Sequence, residues 1–110
     1  MKLPEGEKAM IPEGKLRNYC LNESHPRGRN KARVFRRALG VTADNPQLLE
    51  RLIRQSAVEG DAVVLRQDAY GIYYRVELEV EGLHQRERLR TLWIIRHDEE
   101  VPRLISAFIV

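Results

Sequence analysis

Along this chain the period of the apolar residues changes once, near Gly60-Asp61, from about 3.6 to about 2. The residues before that point therefore pattern as helix and loop, and those after it as strand. The clearest strand is Ile72–Val80, with Ile72, Tyr74, Val76, Leu78 and Val80 on one face and Tyr73, Arg75, Glu77 and Glu79 on the other. A shorter strand, Ala62–Leu65, precedes it across the turn Asp68-Ala69-Tyr70-Gly71. Arg88–Arg96 and Arg103–Val110 are apolar on both parities, which places Arg88–Arg96 centrally in the sheet.

The N-terminal half predicts three helices. The first starts at Pro12, carries Leu16, Tyr19 and Cys20 on one side, and stops near Asn22. The second runs from Lys31 to Leu39, with Asn30 as its N-cap and Gly40 as its C-cap; Val34, Phe35, Ala38 and Leu39 face inward and Arg33, Arg36 and Arg37 outward. Asn45-Pro46 opens the third, Leu48, Leu49, Leu52 and Ile53 form its stripe, and Gly60 closes it. Lys8–Ile11 has the makings of a short edge strand. Three helices followed by four sequential strands predict an α+β domain spanning residues 1–110, with N-terminal helices packed on one face of a four-stranded, mainly antiparallel meander sheet. The expected core contains Val34, Phe35, Leu39, Leu48, Leu52, Val76, Leu78 and Trp93.

No apolar run approaches the ~20 residues a membrane helix needs, and the stretch Met1–Gly6 lacks the apolar core of a signal peptide. A cytoplasmic protein without a membrane partner is the expectation. The single cysteine, Cys20, excludes an internal disulfide and a multi-cysteine metal site, so no metal or cofactor is expected. Charge is more informative than its net value of +3. Between Lys15 and Gly40 stand eight cations and one acid, Glu23. Such segregation suits a face that binds an anion such as a phosphate backbone, or an acidic protein; a solvated arginine-rich helix face is the plain alternative.

The chain carries no phosphate-binding loop, nucleophile elbow, HExxH motif or cysteine pair, so its sequence offers no basis for nucleotide hydrolysis, serine-hydrolase or zinc-protease chemistry. Of the three histidines, His84 and His97 read as solvated loop residues. His25 stands before a proline among basic residues, either inert or placed for proton transfer. Lys31 lies one turn before Phe35 on the apolar side of its helix, so it either swings into solvent or faces a cleft. Arg90, Thr91, Arg103 and Ser106 interrupt otherwise apolar strands, where a polar side chain needs a partner, a cleft or a place at the rim.

The pattern Lys15-Leu16-Arg17-Asn18-Tyr19-Cys20-Leu21-Asn22, His25-Pro26, Gly28, Lys31-Ala32-Arg33-Val34-Phe35 and Leu39-Gly40 resembles a bacterial domain family of unknown function. That family occurs as small stand-alone proteins and as C-terminal domains of polymorphic toxins. The resemblance continues through Tyr70-Gly71, Tyr74, Val76, Arg90-Thr91, Trp93-Ile94 and Pro102-Arg103-Leu104. It implies a toxin-like, metal-independent RNase, similar in fold to the barnase, EndoU and RelE group, with an acidic antitoxin or immunity protein as a partner. On that reading His25 is the acid or base and Lys31, Arg90 and Arg103 supply charge. Ser106 or Thr91 donates a hydrogen bond, and Arg27 and Arg29 hold flanking phosphates. The alternative is a non-catalytic module whose basic face binds nucleic acid or an acidic protein.

Overall fold

A computed structural model describes all residues, 1–110. Two α-helices, α1 (Arg29–Leu39) and α2 (Gln47–Glu59), precede four strands: β1 (Asp61–Gln67), β2 (Gly71–Glu81), β3 (Arg86–Arg96) and β4 (Arg103–Ile109). The sheet is an antiparallel meander in the order β1-β2-β3-β4. The fold is α+β, as expected.

Period 2 sorts the sheet into two faces. Tyr74 pairs with Trp93 and Val76 with Thr91 on the face that the helices cover; α1 packs on β4, and α2 on β2 and β3. Phe35, Leu49, Ile53, Val76, Leu89 and Trp93 have no exposed surface there. Burying side chains of this size contributes about 1.5–3 kcal/mol each. Leu48, Leu52 and Leu78 pack against this core while staying half-buried, and Val34 stands partly exposed outside it, so the inner stripe of α2 is Leu49, Ile53, Ser56 and Ala57. The other face bears no helix, and Tyr73 pairs there with Ile94, Arg75 with Leu92, and Glu77 with Arg90.

Three local expectations need correction. The predicted first helix is a single π-helical turn, Leu16–Cys20, because the backbone turns left-handed at Gly14 (φ 80°) and the proposed start at Pro12 cannot propagate. Asn30 lies inside the first turn of α1 rather than capping it; Gly28 takes the cap position. Asn45 turns its amide toward the preceding loop, where Oδ1 accepts from the Thr42 amide at 2.7 Å, and α2 begins after Pro46 with no side-chain cap. Gly40 does end α1, at φ 71°, a conformation that a side chain would strain.

The lead-in touches both edges of the sheet. Met1 and Ala62 exchange hydrogen bonds beside β1, and Met10 bridges β4 between Pro102 and Leu104. Between them Leu3, Gly6 and Ala9 are buried, Gly6 so close to α2 that a Cβ would lie 1.9 Å from the Ala57 carbonyl oxygen.

Candidate nucleic-acid interface

The π-helical turn, the loop that follows it and the first turn of α1 meet at the outer edge of β4. His25 organises this corner. Its Nδ1 accepts from the amides of Arg27 and Gly28, both at 3.1 Å, so the ring satisfies backbone donors just ahead of α1. A ring that accepts at Nδ1 carries its proton on Nε2. The ring also stands edge-on to Tyr19, with centroids 4.9 Å apart.

Cations alternate with these rings. Lys15 lies 5.3 Å from the Tyr19 centroid, and Lys31 reaches over the β4 edge to lie 4.2 Å from that of Phe108. Cys20 is buried beneath; burial pushes its thiol up, against a backbone hydrogen bond at Ala107 and the nearby Lys15 and Lys31. Beyond Lys31, Arg29, Arg33, Arg36 and Arg37 form an exposed stripe along α1.

Most of the stripe is unpartnered. Arg36 pairs with Glu23 at 3.4 Å, while no acid lies within ion-pair distance of Lys15, Arg17, Arg27, Arg29, Lys31, Arg33 or Arg37. The arrangement opposes helix stability. Arg29 and Lys31 sit at the positive end of the helix dipole with no acid in the first turn, and Arg29, Arg33 and Arg37 repel one another at i, i+4 spacing.

The sheet arginines differ. Arg90 donates from Nε to Glu77 at 2.7 Å, and that contact holds the Glu77 carboxyl below its usual range. Arg103 forms a two-pronged pair with Glu99 at 2.8 and 2.6 Å, which lowers the Glu99 carboxyl and raises the guanidinium. Arg66, Arg86, Arg88 and Arg96 have acidic partners as well.

The expected site residues therefore separate. Lys31 and Arg90 share a neighbour: Phe108 under the lysine is the register partner of Arg90, whose other neighbour is Glu77. One row thus runs Glu77, Arg90, Phe108, Lys31 from the sheet to α1. Ser106 occupies the next row opposite Leu92; it is buried, and its hydroxyl has no partner. Arg103 lies five residues from Phe108 along β4, about 16 Å at strand rise, and is clamped by Glu99, so it does not share a pocket with Lys31. Thr91 is a correction. It has no exposed surface, and its hydroxyl binds Trp93 Nε1 at 2.8 Å and Ser56 Oγ at 3.2 Å in the core, where no phosphate can reach it. Arg27 and Arg29 are exposed beside His25.

Sequence reasoning missed Tyr19, Phe108 and Glu77. The alternation of β2 put Glu77 on the face away from the helices, but the strand register that sets it beside Arg90 cannot be read from one strand. Among these side chains no group of three or more His, Cys, Asp or Glu is gathered closely enough to hold a metal ion, and no helix is long and apolar enough to cross a membrane.

A family model for a domain of unknown function matches residues 2–110. The chain belongs to the DUF6883 family. Membership agrees with the expectation of a domain family of unknown function. No curated protein and no solved structure matches this DUF6883 domain.

Proposed function

We propose that this DUF6883 domain binds single-stranded RNA, with the phosphates on the α1 stripe and the corner cations and the bases against the corner rings. One observation carries the reading. Apart from Arg36, which pairs with Glu23, the cations of the π-helical turn, the His25 loop and α1 are left unpaired beside Tyr19, His25 and Phe108, whereas the arginines on the sheet are mostly neutralised by acids. A positive surface interleaved with aromatic faces suits a flexible polyanion that exposes its bases. The direct test is RNA binding by fluorescence anisotropy at several salt concentrations. Binding that weakens steeply with salt supports the reading, and no binding at low salt removes it.

Metal-independent RNA cleavage is the second reading, favoured by the row Glu77, Arg90, Phe108, Lys31. A phosphate on Lys31 that draws Arg90 toward itself would loosen the contact that keeps Glu77 a poor base. The freed carboxylate then takes the 2′-hydroxyl proton as that oxygen bonds to phosphorus, Lys31 and Arg90 stabilise the charge that develops on the phosphoryl oxygens, and the bond to the 5′-oxygen breaks as that oxygen takes a proton from solvent. His25 retains only Nε2 for proton transfer, since Nδ1 is engaged by two amides. Incubation of RNA with EDTA separates the readings: cleavage that disappears in Glu77→Gln while binding persists supports the enzyme. Unaltered RNA supports binding alone. An acidic protein partner would use the same cations and would compete with RNA.

A further inference from the structure

A cleft opens on the helix-free face of the sheet, at the end away from the corner, with a volume of about 490 Å³. Tyr70 forms one wall, 73% exposed; Ile94 and Ile105 form the floor, and Arg96, His97 and Asp98 the rim. The backbone that carries this exposed ring is hydrogen-bonded on both sides. The Tyr70 amide donates to Asp68 Oδ1 at 2.9 Å, the His97 amide donates to the Tyr70 carbonyl, and His97 Nε2 meets the Asp68 carbonyl at 2.7 Å. The two hairpin tips are thereby clasped together around the cleft.

The surface between corner and cleft is continuous and suited to one kind of chain. Phe108, Leu92, Ile94 and Ile105 are half-buried on β3 and β4, leading from the Lys31 row to Tyr70. Arg75 lies beside Leu92 in the sheet register, with no acid in ion-pair range. Ile94 is four residues from Arg90, about 13 Å along the strand, so the cleft lies beyond the reach of a nucleotide held at the corner but within reach of one further along the strand.

We infer that the Tyr70 cleft is a base-binding subsite for the same RNA strand, a few nucleotides from the corner; the inference rests on the RNA reading above. Stacking on Tyr70 supplies affinity without regard to sequence. The rim adds a preference. His97 Nε2 is engaged by the Asp68 carbonyl, and the Asp98 carboxylate beside it on the rim is an acceptor suited to the exocyclic amine of adenine or cytosine, a group that uracil lacks.

The test uses oligoadenylates of about 3 and about 10 nucleotides with the wild-type protein, Tyr70→Ala and Tyr70→Phe. The exposed position makes misfolding of either variant easy to separate by thermal unfolding. Tyr70→Ala should weaken binding of the long oligomer about 5- to 150-fold, the range for one lost base stack. Tyr70→Phe should restore it, the short oligomer should be indifferent to either change, and long oligouridylate should bind less well than long oligoadenylate. If long RNA binds the wild type and Tyr70→Ala equally, the subsite is refuted while the RNA reading stands. If no RNA binds the wild type at low salt, both fall.

Discussion

Replacing Arg33 by glutamine should move RNA affinity and fold stability in opposite directions. Arg33 has no acidic partner and lies one turn from Arg29 on one side and from Arg37 on the other. Each like-charge pair at this spacing destabilises a helix by about 0.2–0.5 kcal/mol, and glutamine matches arginine in helix propensity, so the variant should gain about 0.4–1 kcal/mol at low salt. In a domain of this size that is a rise of about 2–6 °C in the unfolding midpoint. If Arg29, Lys31, Arg33 and Arg37 each hold one phosphate of a single strand, log affinity should fall with log salt at a slope of about −2.8, or about 50-fold between 50 and 200 mM. Removing Arg33 should reduce the slope to about −2.1 and that loss to about 18-fold. Anisotropy titrations and thermal unfolding of the same two proteins measure both quantities. An unfolding midpoint that falls by several degrees would mean that Arg33 serves the fold. An unchanged salt slope would mean that the stripe does not touch RNA.

Three further outcomes follow from the geometry. Thr91→Val strips the Trp93 indole and the Ser56 hydroxyl of a buried partner and should cost about 1–3 kcal/mol in urea unfolding, with Trp93, the only tryptophan, as the fluorescent reporter; a loss below about 0.5 kcal/mol would show that the hydroxyl network is dispensable. His25→Ala leaves the Arg27 and Gly28 amides without their acceptor and should cost about 0.5–2 kcal/mol, the usual range for a lost helix cap, whereas unchanged stability would return His25 to a purely chemical role. Acid should weaken the fold before it protonates the native carboxylates: burial raises the Asp68 carboxyl, but the Tyr70 and Gly71 amides, Arg66 and Tyr73 outweigh it and hold the group down to about 2, and arginines lower Glu77 and Glu99. The unfolded chain then binds protons first, so stability should be complete above about pH 4.5 and decline toward pH 2; a flat profile across that window would contradict the pairing.

The order of elements was legible because each periodicity records a one-sided burial. The change of period near Gly60 and the alternation of Ile72–Val80 are direct consequences of one sheet face being covered. Helix starts were less legible, since Asn30 and Asn45 have the right side chains for caps but the surrounding loops employ them otherwise. The basic stripe of α1 could be read because adjacent residues carry it. Pairing was hidden. Arg90 left a partner, a cleft and the rim as alternatives, because its neutralising acid lies thirteen residues away across a hairpin. Glu99 was a different case, standing only four residues before Arg103 and within reach of a local reading. Thr91 misled for a related reason: a polar residue in a buried strand announces that it has a partner, and here that partner was the tryptophan two positions on.

The lead-in that spans the sheet from Met1 at β1 to Met10 at β4 has a bearing on how the chain assembles. Its contacts are among the most distant in sequence, Met1 with Ala62 and Met10 with Leu104, and it has no complete surface to lie on until the last strand has paired. Local hairpins and helices close shorter loops and can form earlier. The segment should therefore settle late, shielding the two strand edges in the same step. Until then both edges are open to strands of other molecules, so aggregation during refolding would reflect an undocked N-terminal strap rather than a defect in the core.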